Sequence, residues 1–279
     1  MESERMKSVT RTADRRWLGL FAVLTAMIMN ILDSTIVNVA SPSIHRDLGG
    51  SYASLQWISA AYTLALAVGL LTGGRLGDMF GRRRMLLIGV VGFVIASLGC
   101  AAAASPEMLI GARVLQGLFG SVMIPQAFGL IRDLFPPREI GKAFGALGPV
   151  IGLSTVLGPI VAGLLIHADI LGTGWRMAFA INLPLGLFTL IVGAKVLPDV
   201  KPEAGKGLDV IGALFAAAGV FLLVYPLVQG RELGWPAWSL AMIGVAVVML
   251  TGFVVYQLRR SRSGRTPLVE LGVFARRSY

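Results

Sequence analysis

The stretch GGRLGDMFGRRRML, residues 73–86, decides how this chain is read. Four of its residues, Gly73, Gly74, Gly77 and Gly81, let helix ends and backbone approach closely. Asp78 can accept hydrogen bonds from a helix N-terminus or pair with an arginine. Arg82, Arg83 and Arg84 follow as a run of like charge. Long apolar runs flank the stretch on both sides. A basic turn of this kind is favoured where the anionic inner leaflet meets the cytoplasm.

The flanks set the class. Of 279 residues, 55% are hydrophobic and 14% charged. A soluble domain carries about 25% charge. A spanning helix needs roughly 20 apolar residues. Eight such segments are predicted, over 17–40, 54–74, 86–104, 107–128, 141–166, 177–197, 208–229 and 237–258. Their apolar runs are continuous and lack a period-two alternation, so strands are not favoured. The expectation is an all-α polytopic membrane protein. Residues 1–16 form an N-terminal tail, and 17–197 hold six helices. The segment 198–207, PDVKPEAGKG, breaks the apolar pattern as a linker. Residues 208–258 add two helices, and 259–279 form a tail. The run from Trp17 is too long for a signal-peptide core and contains Asp33, so it reads as a retained first helix.

The net charge of +10 could point to nucleic acid. Its distribution points to membrane topology instead. An even number of spans puts both chain ends on one side. Most of the 25 Lys and Arg fall on that side, leaving Arg46, Arg176 and Arg231 opposite and Arg113 inside a span. The positive-inside rule then makes both ends cytoplasmic, in a multi-pass protein of the cell membrane. Cys100 is the single cysteine, which excludes an intrachain disulfide and a CxxC metal site. His45 and His167 are isolated and read as loop residues, with no metal centre implied.

Two spans carry charge where charge is costly. The fourth, LIGARVLQGLFGSVMIP over 109–125, holds Arg113. A mid-helix arginine costs roughly 2.5–3.5 kcal/mol on insertion scales. It must face protein, a partner or water, unless it snorkels to a helix end. Gln116 and Gly117 share its face at i+3 and i+4, and Gly120 extends that face. The first span holds Asp33 within NILDSTIVNVASP, residues 30–42. Asn30 lies one turn before it, and Asp33, Ile36 and Ala40 mark one face. Desolvation disfavours the charged form of a carboxylate facing a partly dry cavity, and a nearby arginine favours it. Asp33 therefore reads as a proton carrier or as the permanent partner of Arg113. The fifth span, GPVIGLSTVLGPIVAGLL over 148–165, carries Gly148, Gly152, Gly158 and Gly163 with Pro149 and Pro159. Small residues allow close helix contact, and each proline removes a backbone hydrogen bond. Helix packing alone accounts for any one of these glycines.

Taken together, these stretches resemble the major facilitator superfamily. Residues 73–86 resemble its signature loop G-x-L-a-D-r-x-G-r-r-x-x-l, matching at Gly74, Leu76, Asp78, Gly81, Arg82, Arg83 and Leu86. Gly77 and Met79 depart from it, and Met79 removes an arginine that makes a family salt bridge. Arg113, Gln116 and Gly117 match the family's R-x-x-Q-G. Gly158, Pro159 and Gly163 match the antiporter motif g-x-x-x-G-P-x-x-G-G, with Ser154 and Ala162 in place of glycines. Residues 32–42 resemble the first-helix motif L-D-x-T-I-V-N-V-A-L-P of the fourteen-helix drug:proton antiporter branch, with Ser41 for leucine. GWRMAFAINLPLG at 174–186 and GLDVIGAL at 207–214 resemble the same branch.

The resemblance implies a fold and a function. The fold is the family's N-terminal six-helix bundle plus the two helices this branch inserts. The function is proton-coupled efflux of lipophilic or cationic drugs, of the kind that confers antibiotic resistance. Asp33, Asn30, Arg113 and Gln116 would couple proton and substrate. Gly74, Asp78, Gly81, Arg82 and Arg83 would form a gating loop. Gly158, Pro159 and Gly163 would shape an export-biased helix contact. The driving force would be a proton gradient, with no cofactor. The partners would be the substrate, the bilayer and a C-terminal six-helix half, without which the chain would not transport. Two other readings stand beside it: an exporter of an endogenous metabolite, and a non-transporting half. The sequence offers no nucleophile–base set, no P-loop and no metal cluster, so an enzyme is not expected.

Overall fold

The computed structural model describes residues 2–169, 172–200, 209–230, 233–263 and 267–268, with side chains from residue 15. Most of the linker predicted at 198–207 and most of the tail after 263 lie outside the described residues. Every regular element described is helical. The helices are α1 (Glu2–Leu48), α2 (Tyr52–Phe80), α3 (Arg82–Ala101), α4 (Pro106–Leu134), α5 (Ile140–Gly145) and α6 (Leu147–Ala168). A 3-10 turn, Gly174–Arg176, leads into α7 (Met177–Ala180) and α8 (Asn182–Val196). The last pair is α9 (Val210–Gln229) and α10 (Ala237–Arg262).

Eight stretches are long and apolar enough to cross a membrane. The fifth combines α5 with α6, and the sixth combines the 3-10 turn with α7 and α8. The helices outrun the apolar windows. The residues between the second and third helices are almost all helical: α2 continues through Gly74 and Asp78 to Phe80, and α3 starts at Arg82. The reversal is confined to Gly81, at φ 93°, a conformation that favours glycine. His45 and His167 sit in the last turns of α1 and α6, not in loops as the apolar windows implied. The helices run on past the hydrocarbon-length windows, and a basic residue in a last turn suits the helix dipole.

Local chemistry sets several starts. The Ser51 hydroxyl accepts from the Ser54 N–H at α2, and Ser105 accepts from the Met108 N–H at α4, with Pro106 at the first helical position. Asp209 caps α9 by accepting from the Gly212 N–H.

The packing centres on α4, which lies along α2 and against α3. The other face of α3 meets α8, and α1 lies between α6 and α8. Glycines set the α2–α4 spacing. A side chain at Gly73 would overlap the Ser121 carbonyl, and one at Gly77 the Gln126 side chain. Gln126 uses that space to donate from Nε2 to the Gly73 carbonyl at 2.7 Å. The main core includes Val23, Met29, Val90, Phe93 and Met123, all essentially inaccessible. The outward faces are apolar too, with Leu164 65% and Val248 72% exposed. A soluble protein rarely leaves so large an apolar exterior, and a bilayer covers it.

Candidate functional site

A buried polar centre joins α1, α2, α3, α4 and α8. Asp33 comes from the middle of α1 and Arg113 from α4, and their side chains are 0% and 1% exposed. They form an ion pair through Arg113 Nη1 and Asp33 Oδ2. The same Nη1 donates to Gln116 Oε1 at 2.9 Å. Arg113 Nε donates to the Ile58 carbonyl of α2 at 3.1 Å. The guanidinium lies 4.2 Å above the Tyr62 ring, a cation–π contact.

The carboxylate's other oxygen is also held. Asp33 Oδ1 accepts from Gln116 Nε2 at 2.9 Å and from Asn182 Nδ2 at 3.1 Å. Ser97 Oγ accepts from Gln116 at 2.7 Å and Asn182 at 3.1 Å, and donates to the Phe93 carbonyl. The Cys100 thiol donates to Gln116 Oε1. Among the described residues, Asn182 Oδ1 is the one buried side-chain polar atom without a hydrogen-bond partner.

The physical logic is that of a buried charge pair. Each ion alone would pay a large desolvation cost, so pairing and further hydrogen bonds are needed to hold both. Gly117 helps: a side chain there would overlap the Tyr62 carbonyl. Its absence lets α2 lie close enough for Ile58 and Tyr62 to reach Arg113. Removing the charge from either partner leaves the other buried with only neutral dipoles around it.

The sequence-predicted residues separate into three groups. Asp33, Arg113 and Gln116 meet in the centre. The Asn30 side chain bonds elsewhere than to Asp33. Its Nδ2 donates to the Ala26 carbonyl, and its Oδ1 accepts from the Tyr62 hydroxyl at 3.1 Å, so it meets the centre through Tyr62. The loop residues lie at the far end of α2, with Asp78 about 24 Å along the axis from Tyr62 at 1.5 Å per residue. There Asp78 lies 3.8 Å from Arg75 and 3.6 Å from Arg82. Arg82 also pairs with Asp133 of α4 at 3.1 Å. This pairing spans the α2–α3 turn and α4 despite Met79. Arg83 donates to the Ala194 carbonyl of α8. A side chain at Gly74 would make only ordinary contact with Pro125.

The α6 stripe divides. Gly158 packs on α1, where a side chain would overlap Thr35 Oγ1. Pro159 lies inside the helix. Gly148, Gly152 and Gly163 face open space.

Sequence reasoning missed Tyr62, Ser97, Cys100 and Asn182 as members of the centre. Asn182 carried a usable signal, because an amide inside an apolar span raises the same cost question as Asp33. A serine or cysteine in a helix raises none.

Comparison with known proteins gives the family. Residues 23–275 match the Major Facilitator Superfamily. A probable actinorhodin transporter of Streptomyces coelicolor is 51% identical over 265 residues, which are 95% of this chain and 46% of that protein. The tetracenomycin C resistance and export protein of Streptomyces glaucescens is 41% identical over 93% of this chain and 47% of its own length. The chain thus spans about half the length of these relatives. In fold, the chain is similar to the proton:xylose symporter XylE, with a TM-score of 0.58 at 18% identity over 80% of this chain and 55% of that one. From the ends of the helix bundle to its buried ion pair, this chain belongs to the major facilitator superfamily.

Proposed function

We propose that the chain is the N-terminal portion of a proton-coupled exporter of lipophilic or cationic drugs. The observation that carries this reading is the Asp33–Arg113 pair, withdrawn from solvent and shared by helices that must shift against one another for access to alternate. A proton delivered to Asp33 cancels the attraction to Arg113. Arg113 then keeps Gln116, the Ile58 carbonyl and the Tyr62 ring face, all neutral partners. Several helices lose a common electrostatic tie, which gives proton uptake a route to changed packing. Gln116 orients both ions. Asn30 positions Tyr62 beneath the guanidinium. Asp78, Arg82 and Arg83, with Gly74 and Gly81, restrain the inner end. Gly158 and Pro159 shape the α1–α6 contact.

The proton gradient is the driving force, and neither a cofactor nor a catalysed reaction enters the cycle. The α1–α8 bundle is one unit and the α9–α10 pair a second, joined to it by the linker and docked on α2. Both ends of the chain are cytoplasmic, in the cell membrane. A further six-helix half completes the substrate site.

The test is dye efflux by the chain together with that half, in cells lacking their own pumps. Asp33→Asn should abolish efflux, as a protonophore does, while membrane insertion is kept. Undiminished gradient-driven efflux by Asp33→Asn would remove Asp33 from the mechanism. A second reading has specific support. One relative is named for actinorhodin transport and the other for tetracenomycin C export. By that likeness, the cargo is a metabolite the cell makes. Efflux of such a compound, with no protection against unrelated drugs, would select this reading.

A further inference from the structure

The α9–α10 pair has no part in the buried centre, yet it is pinned to both ends of α2. At one end, Trp57 Nε1 donates to Gln229 Oε1 at 2.8 Å. At the other, the fastening runs through two residues beyond α10, Pro267 and Leu268. Arg75 of α2 is 6% exposed. Its Nε donates to the Leu268 carbonyl at 3.1 Å, and its Nη2 donates to the Pro267 carbonyl. From the opposite side, Gln257 Oε1 of α10 accepts the Leu268 N–H at 2.7 Å. The Leu268 side chain packs with Ala216 of α9 and Phe253 of α10.

Gln257 is held in turn. Its Nε2 donates to Asp209 Oδ2 at 2.9 Å. Asp209 also accepts from the Tyr256 hydroxyl at 3.0 Å and lies 3.4 Å from Arg260. Burial pushes the Asp209 carboxyl up, but the Gly212 N–H, Gln257, Tyr256 and Arg260 outweigh it and hold it below the usual range. Arg75 therefore stands between two claims: the chain beyond α10, and Asp78 of the loop.

We propose that Pro267–Leu268 is a clasp that ties the α9–α10 pair to the inner loop, and that Arg75 is the positioning residue that sets it. One guanidinium fork spans two successive carbonyls, which a point-charge ammonium does not reproduce. Asp209 and Gln257 brace the clasp from the other side. The Arg75 side chain that holds the clasp is within reach of Asp78, so release of the clasp frees Arg75 for the loop. The consequence for the inner end rests on the transport reading, but the clasp itself does not.

The test uses Leu268→Cys in a Cys100→Ala background, in native membranes, with a small water-soluble maleimide. The cysteine should label slowly. Adding Arg75→Ala or Arg75→Lys should speed labelling by at least about tenfold, the change implied by losing one charge-assisted hydrogen bond, and Gln257→Ala, which removes the neutral bond to the Leu268 N–H, by about fivefold. Asp209→Asn should also speed it, although Asp209 accepts its hydrogen bonds from Gly212, Tyr256 and Gln257 and not from the clasp. That remote effect separates a braced clasp from simple local packing. Fast labelling before any second substitution, or rates that Arg75→Ala leaves unchanged, would overturn the clasp. Because labelling needs no transport, a chain that moves no drug leaves this result standing. Should Arg75 prove disruptive to insertion, Gln257→Ala and Asp209→Asn carry the test.

Discussion

At the scale of the residue, the chain keeps two ions where hydrocarbon would expel either one alone. Arg113→Leu should leave the Asp33 carboxylate buried and unpaired, and lower stability by about 3–5 kcal/mol. Asp33→Asn combined with Arg113→Leu should recover part of that loss, since the orphaned charge goes too. Thermal unfolding of the purified chain in detergent measures both, and strict additivity would mean that the pair is not coupled. The sequence marked Asp33 and Arg113 because a charge inside an apolar span is conspicuous. It marked Gln116 beside them, but not Tyr62, Ser97, Cys100 or Asn182. Ser97 and Cys100 sit in a helix at little cost, so nothing sets them apart. The pairing of positions 33 and 113 is written in no local spacing, and only the α1–α4 contact creates it.

At the scale of the element, the glycines show what a pattern leaves open. Gly73 and Gly163 belong to similar small-residue runs, yet one meets a backbone carbonyl and the other meets nothing. Gly73→Ala should push α2 from α4 and cost about 1–3 kcal/mol. Gly163→Ala should be neutral or slightly stabilising in this chain, because alanine favours the helix more than glycine does. Melting of the two variants side by side decides it, and equal losses would contradict the assigned contacts. Helix identity was legible in the continuous apolar runs. Helix ends were not. The run of α2 to Phe80 crosses Gly74, Gly77 and Asp78, all of which read locally as turn residues. Packing on α4 keeps them helical, and only Gly81 takes the reversal.

At the scale of the whole molecule, eight continuous apolar stretches were enough for an all-helical membrane fold. The place of α9 and α10 against α2 was not legible, since a face that meets lipid and a face that meets protein are equally apolar. The buried centre also supplies a native spectroscopic reporter. Cys100 is the chain's single cysteine, and its hydrogen points at Gln116 Oε1. Infrared absorption by a thiol falls in a window that amides and water leave clear. One vibrational band therefore registers the bonding of the amide that holds both ions. Gln116→Leu should move that band to the frequency of an unbonded thiol, with no label attached. A band that stays put would mean that the thiol and the amide do not meet in the membrane.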